Sequence, residues 1–459
     1  MQAFKKNAAM NKTLRRFVFV LLLLMAGCQP TPTALPIPGS SLPPAGTFAS
    51  APPPAILSTP AASPLPSAAP TLTREWRITG IDVPALAGFD AHLQDYMQLH
   101  DISQGALAVT YQGRLVLAHA YTWADGESDP TQPASLFRIA SLSKPFTAVA
   151  ILKLVQDGKL SLDAKIVDLL DFTPPAGQSS DPRLGEVTVA HLLSHRSGWA
   201  YDPMFDDIRI SQQLGLPLPI SQANIITYMS GVFLTYVPGT VYVYSNFGYL
   251  LLGRIIEAAT GQPYQTYVQQ NILKPLGITK MNLGHSLPDQ RLPGEVTYHS
   301  DFTGPTVFAA SGAAVPMPYG SWNLENMDSH GGWVANAIDL ARFEASFDHP
   351  ASHPLLAQTS IDLMFAPPPG VTEPRYYALG WFVDRIGDAD FVWHGGRLDG
   401  TLTFMVHRSD EVGWVALFNQ SDSAQDPSGN TYGDIFILLQ QSADALDVWP
   451  DHDLFQRFP

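Results

Sequence analysis

The sequence predicts an α+β domain: one antiparallel sheet built from strands near both ends of the chain, flanked by helices, with a mostly helical region inserted between them. Two observations predict it. Strand patterns cluster at 106–121 and again at 391–418, while helical periodicity fills the stretch between. The composition, 46% hydrophobic and 15% charged over 459 residues, supplies enough apolar surface for a large core.

The elements follow in chain order. Residues 89–99 carry the spacing of an amphipathic helix. Segments 106–111 and 114–121 read as strands around a Gln112-Gly113 turn. Ser141-Leu142-Ser143-Lys144 then opens a helix that is apolar on almost every side, from Phe146 through Ala148, Val149, Ile151 and Leu152 to Val155, with Gly158 as its cap. Helical signals continue at 189–193, 224–229, 247–259 and 264–272. Strands return at 391–394, 402–407 and 412–418, before a last helix at 432–446.

Ahead of this domain the chain changes character twice. Residues 1–28 combine a basic lead (Lys5, Lys6, Lys12, Arg15, Arg16) with an apolar run at 17–26, which is short for a membrane span and has the form of a signal peptide. Met25-Ala26-Gly27-Cys28 resembles a bacterial lipoprotein box. That resemblance implies lipidation of Cys28, a membrane anchor and an extracytoplasmic address in the cell envelope; a plain secretory signal cut nearby, which would leave the protein secreted, is the alternative. Residues 29–75 form a spacer rich in Pro, Ala, Ser and Thr, uncharged from Gln29 to Thr73, that cannot bury a core and stiffens toward extended polyproline II. The remaining 76–459 form the folded domain.

Charge and cysteine content exclude several functions. The formal charge is −15 with no basic block beyond the first residues, so nucleic acid is not an expected partner. Cys28 is the single cysteine, which leaves no thiolate cage and no disulfide framework. His191 and His195 stand four apart, as zinc ligands can, but lack an evident third ligand. No metal and no cofactor is expected.

Three short motifs carry the chemistry. Spacing of i, i+3 puts the Ser141 hydroxyl and the Lys144 amine on one helical face. A lysine buried at a helix N-terminus loses hydration and meets the positive end of the dipole, so its pKa falls and it can accept a proton from serine. Tyr244-Ser245-Asn246 follows a strand-like 241–244 and precedes a helix; taken alone it reads as a packed aromatic with Asn246 as N-cap. His394-Gly395-Gly396 ends an apolar strand pattern and alone reads as a hairpin loop.

In the order S-x-x-K, Y-x-N, H-x-G, these motifs resemble the serine β-lactamase and penicillin-binding-protein-like hydrolases, in the class C β-lactamase and CubicO-type esterase–peptidase branch. Surrounding text agrees over about residues 85–420: Leu136-Phe137-Arg138-Ile139-Ala140, His191-Leu192-Leu193-Ser194-His195-Arg196-Ser197-Gly198, and Gly331-Gly332-Trp333-Val334. The resemblance implies a β-lactamase/transpeptidase-like fold. It also implies an acyl-enzyme on Ser141, with Lys144 and Tyr244 sharing the general-base role and Asn246 orienting Lys144 or the substrate. His394 stands where the family's K-T-G has lysine and leans toward Tyr244 from the edge strand. Gly395 and Gly396 complete that motif, and the resemblance implies an oxyanion held between the backbone N–H groups of Ser141 and Arg397. Ser143 has a hydroxyl but not the required lysine spacing.

Departure from K-T-G bears on substrate. A histidine of ordinary pKa is mostly neutral at pH 7, and Gly395 lacks a threonine hydroxyl, so esters or small amides are favoured over carboxylate-bearing β-lactams. A D-amino-acid peptidase or carboxypeptidase, a β-lactamase, and a non-catalytic envelope binding module are the alternatives. The segment 201–236 is expected to line one wall of the cleft.

Overall fold

The computed structural model describes residues 74–124, 129–348, 355–387, 389–421 and 431–458. The signal segment, Cys28 and the Pro-rich stretch to Thr73 lie outside them. Among the described residues no helix is long and apolar enough to cross a membrane.

Eight antiparallel strands form the main sheet: β1 (Glu75–Gly80), β2 (Gln104–Tyr111), β3 (Arg114–Ala124), β4 (Arg375–Tyr377), β5 (Phe382–Ile386), β6 (Ala389–Leu398), β7 (Thr401–Arg408) and β8 (Val412–Phe418). Their order is β1-β3-β2-β8-β7-β6-β5-β4, so strands from both ends of the domain meet where β2 pairs with β8. The expected sheet is present. Sequence reading missed β1, β4 and β5, which are short or carry charges and offer little alternation.

Period-two alternation sorts the strand residues between two cores. Leu107, Val109, Phe404, Val406, Trp414 and Ala416 face one side, where α1 (Ala87–Leu99) contributes Phe89 and Leu93 and α5 (Thr431–Asp444) contributes Ile435 and Leu439. Ala106, Ala108, Met405, Val415 and Leu417 face the other, against the inserted helical region. That region includes α2 (Ser143–Gln156), α3 (Asn246–Thr260) and α4 (Ala337–Ala345). Phe146 of α2 stacks on Phe343 of α4 with ring centroids 4.0 Å apart; burying a side chain of that size contributes about 1.5–3 kcal/mol.

Helix α2 is buried along nearly its whole length, as its all-round apolar character requires. It ends where Gly158, at φ +69°, donates its N–H to the Val155 carbonyl. The long helices match the sequence periodicity closely, and 264–272 divides into a short α-helix, Tyr264–Val268, and a π-turn, Gln269–Leu273.

Candidate active site

Ser141 lies in a 3-10 turn, Ala140–Leu142, immediately before α2. Ala140 adopts φ +47°, a left-handed conformation that non-glycine residues hold only when the surroundings enforce it. Here β7 enforces it from below: the hydroxyls of Thr401 and Thr403 donate to the carbonyls of Arg138 and Ile139 at 3.0 and 2.9 Å. Arg138, 1% exposed, anchors the preceding residue through the Pro318 and His285 carbonyls at 2.6 and 2.7 Å. The nucleophile turn is therefore tied to the sheet by threonines that no local sequence pattern marks. Ser143 is fully buried and its Oγ accepts the Trp333 backbone N–H at 3.3 Å, a packing role distinct from that of Ser141.

Lys144 is fully buried, and its Nζ contacts three acceptors: Ser141 Oγ at 3.0 Å, Asn246 Oδ1 at 2.8 Å and the His330 carbonyl at 3.0 Å. Burial lowers its pKa to about 7, against an opposing pull from the Asp202 carboxylate. An amine with that pKa is substantially unprotonated at neutral pH and lies within proton-transfer distance of a serine hydroxyl.

Tyr244 and Asn246 reach the same point from the start of α3. Lys144 Nζ lies 4.7 Å from the centroid of the half-buried Tyr244 ring. Residues 242–245 belong to no strand, so the strand expected at 241–244 is a connecting segment. Ser245, not Asn246, is the N-cap: its Oγ accepts the Gly248 N–H at 3.0 Å. With the cap supplied by its neighbour, Asn246 keeps its side chain for Lys144. Asp202, which the sequence reading did not single out, accepts the backbone N–H groups of Asn246 and Phe247 at the positive end of α3. Burial pushes its carboxyl up, opposed by these N–H donors and by Lys144.

The third motif lies inside a strand. β6 runs unbroken from Ala389 to Leu398, so His394-Gly395-Gly396 is not a hairpin loop; the chain turns at Asp399-Gly400, with Gly400 at φ +79°. Nor is β6 the edge strand, since β5 and β4 lie outside it. Yet its pairing with β5 extends only from Ala389 to Trp393, and from His394 onward β6 runs past the end of that neighbour.

Gly396 shows why this position has no side chain. A Cβ there would lie 2.1 Å from the Ile139 carbonyl, 2.3 Å from Thr403 Oγ1 and 3.1 Å from the Ser141 backbone N. The strand passes directly against the nucleophile turn, and Arg397 follows one residue on, opposite Leu402. Gly395 lies opposite Phe404 and uses its carbonyl to accept the Nδ1–H of His394 at 2.7 Å.

His394 is 1% exposed, and burial, with Lys144 nearby, lowers its pKa to about 3. It is a neutral imidazole whose Nε2 accepts from the Tyr377 hydroxyl at 3.0 Å. Tyr377 belongs to β4, a strand the sequence reading did not find, and the ring centroids of His394 and Tyr244 are 6.4 Å apart. His195 completes the cluster: buried, at φ +56°, with its ring 4.3 Å from Tyr244 and 4.4 Å from Tyr377. Its Nδ1 accepts the Ser245 N–H at 3.1 Å. His191 points elsewhere, closing a capping box with Thr188, so the two histidines do not converge.

Beside the end of β6 opens a cleft of about 890 Å³, with Arg397, Leu398 and Asp399 on one side and Phe205, Arg209 and Gln212 on another. Five residues between 205 and 212 of the segment 201–236 line this cleft, which borders Arg397 but not Ser141, Lys144, Tyr244 or His394.

Comparison with known proteins follows the same outline. A family model described as Beta-lactamase matches residues 89–438, most of the chain. The chain belongs to the Beta-lactamase family. It is a serine hydrolase of the β-lactamase and penicillin-binding-protein fold. Esterase EstB of Burkholderia gladioli is 33% identical over 225 residues, 47% of this chain and 55% of EstB, so that match spans little more than half of the relative. Protein flp of Staphylococcus aureus is 27% identical over 373 residues, 76% of this chain and 69% of that protein. Among solved structures, the D-amino acid amidase of Ochrobactrum anthropi SV3 superposes with TM-score 0.61 at 20% identity, over 79% of this chain and all of that one. The octameric penicillin-binding-protein homologue of Pyrococcus abyssi gives 0.58 at 22%, over 78% and 77%.

Proposed function

We propose that this chain is a cell-envelope serine hydrolase that cleaves esters or small amides through an acyl-enzyme on Ser141. The observation that carries the reading is the 3.0 Å contact between Ser141 Oγ and a Lys144 amine whose pKa burial has lowered to about 7. In the first step Lys144, with Tyr244 beside it, takes the Ser141 proton as Oγ attacks the substrate carbonyl. The resulting oxyanion is held by the backbone N–H groups of Ser141 and Arg397, a pair whose members are each worth about 100- to 1,000-fold in rate. Tyr244 protonates the leaving group and regains a proton from Lys144; in deacylation the neutral Lys144, with Tyr244, takes a proton from the attacking water and returns it to Ser141 Oγ as the acid product leaves.

Substrate class follows from the neutral third motif. His394 offers no permanent cation to a substrate carboxylate, since its pKa is about 3 and its Nε2 is engaged by Tyr377. Esters and uncharged amides fit such a site better than β-lactams. The esterase relative supports this preference. A D-amino-acid amidase reading is the second choice, favoured by the superposition with the Ochrobactrum enzyme. The lipoprotein-like Cys28 segment and the Pro-rich spacer support tethering outside the cytoplasm.

The test is a substrate panel on wild type and Ser141→Ala: short-chain p-nitrophenyl esters, D-amino acid amides and nitrocefin. Ester turnover that exceeds nitrocefin turnover and vanishes with Ser141 supports the reading. Nitrocefin as the better substrate contradicts the ester preference, and turnover that survives Ser141→Ala contradicts the nucleophile.

A further inference from the structure

A second polar cluster lies apart from Ser141, on the helical face of the sheet. Three residues line up across adjacent strands there: Thr110 on β2 opposes Gly413 on β8, and Gly413 opposes His407 on β7. The carboxylate of Glu344, from the last turn of α4, lies over the glycine. A Cβ at Gly413 would come within 2.2 Å of it, so the strand leaves room for the acid. Asp348 enters from just beyond α4.

The hydrogen bonds divide each carboxylate in two. Glu344 Oε2 accepts the Thr110 hydroxyl at 2.6 Å, and Asp348 Oδ2 accepts the Gly113 N–H at 2.8 Å. These donors fix the outer oxygens. The inner oxygens both face His407 Nδ1, Glu344 Oε1 at 2.8 Å and Asp348 Oδ1 at 3.4 Å. Asp348 Oδ1 is buried, on a side chain with no solvent exposure, and accepts no hydrogen bond. Three ligand-type atoms from Glu344, Asp348 and His407 thus lie within 4.8 Å of one another.

We propose that Glu344, Asp348 and His407 form a binding site for a divalent transition-metal ion, with Zn2+ the best match. Ligand atoms about 2.0–2.2 Å from a tetrahedral zinc stand about 3.3–3.5 Å apart, so the His407–Asp348 spacing already fits and the His407–Glu344 contact needs to open by roughly half an ångström. One imidazole with two carboxylates suits zinc better than an all-oxygen magnesium or calcium site. Thr110 and Gly113 act as the outer partners that orient ligating carboxylates. Two carboxylates with one histidine carry an excess of negative charge in a place with side-chain exposure of 0–12%, which a dication neutralises. Binding displaces the proton shared among His407 Nδ1 and the carboxylates into solvent. His407, 12% exposed against 0–1% for the acids, marks the way in. The ion would tie the end of α4 to strands β2, β7 and β8, a structural role separate from the chemistry at Ser141.

The test uses the untagged full chain, stripped with chelator and titrated with Zn2+ and, separately, Co2+. We expect about one equivalent of Zn2+ bound, a visible Co2+ absorption band, and a melting temperature raised by about 3 °C at a hundredfold excess over Kd. Asp348→Asn and His407→Gln should lose the band and the shift while still labelling at Ser141. Wild type that binds less than a tenth of an equivalent and gives no Co2+ band overturns the proposal, as does an Asp348→Asn variant that binds like wild type.

Discussion

His394 on β6 and His407 on β7 are both buried, on adjacent strands of one sheet, yet their basicities move in opposite directions. Burial disfavours the charged form of each. Around His394 only its own hydrogen bond to the Gly395 carbonyl opposes it: Lys144 and the tyrosine rings of 244 and 377 lie beside it with no carboxylate among them, and the pKa falls to about 3. Around His407 the carboxylates of Glu344 and Asp348 win, and the pKa rises. His119, held by Asp90 at 2.7 Å, follows His407. Neighbouring charge, rather than depth, decides whether a buried histidine is a neutral acceptor or a cation, and the active-site end of this sheet has been kept free of the acids that would charge His394. Asp202 is the exception near Lys144, and its carboxylate is occupied by the start of α3.

The largest test of the contrast is removal of the nucleophile from the acid-poor end. Ser141→Ala should lower ester turnover by about 10,000-fold or more and abolish fluorophosphonate labelling. Ser143→Ala, which removes only the acceptor for Trp333 N–H, should still label. Next comes the base: Lys144→Ala should cost about 100- to 10,000-fold in kcat/KM with the fold intact by circular dichroism. Gly396→Ala should lower kcat/KM by about 100-fold, because its Cβ would strike the Ile139 carbonyl and displace the nucleophile turn. Asp202→Asn removes a charge that raises the Lys144 pKa, so the acid limb of the pH–rate profile should move to lower pH; an unmoved limb would show that Asp202 acts on α3 alone.

At the acid-rich end the expected effect is smaller and appears in stability. His407 and Asp348 both have raised pKa values in the fold, Asp348 to about 7. Groups raised in this way favour the folded state at low pH and lose that contribution as pH climbs through the folded pKa. The metal-free protein should therefore melt a few degrees lower at pH 8 than at pH 5.5 on account of this cluster, and Asp348→Asn should flatten the trend.

Much of the catalytic end could be read from sequence because local spacing encodes it. The i, i+3 pair of Ser141 and Lys144, the all-apolar helix behind it and the Gly158 cap depend on neighbours along the chain, and the structure shows each of them. Long-range relations were less legible. That Thr401 and Thr403 support the turn, that Asp202 holds the start of α3, and that Tyr377 engages His394 all depend on sheet register between segments far apart in sequence. His394-Gly395-Gly396 illustrates the difficulty: glycine pairs usually mark turns, but Gly396 serves the close approach of β6 to Ser141, and β6 lies third from its edge of the sheet. The Glu344–Asp348–His407 cluster carried no motif at all, since its members converge only once β2, β8 and β7 are in register.

The most direct measurement is the pH dependence of the second-order rate constant for fluorophosphonate acylation of Ser141 between pH 5.5 and 9.5. With Lys144 as a neutral base of pKa about 7, the rate should rise about tenfold per unit at low pH and level off above that value. A rate that keeps climbing through pH 9 would mean that Lys144 retains its proton, and would contradict a lysine-activated serine.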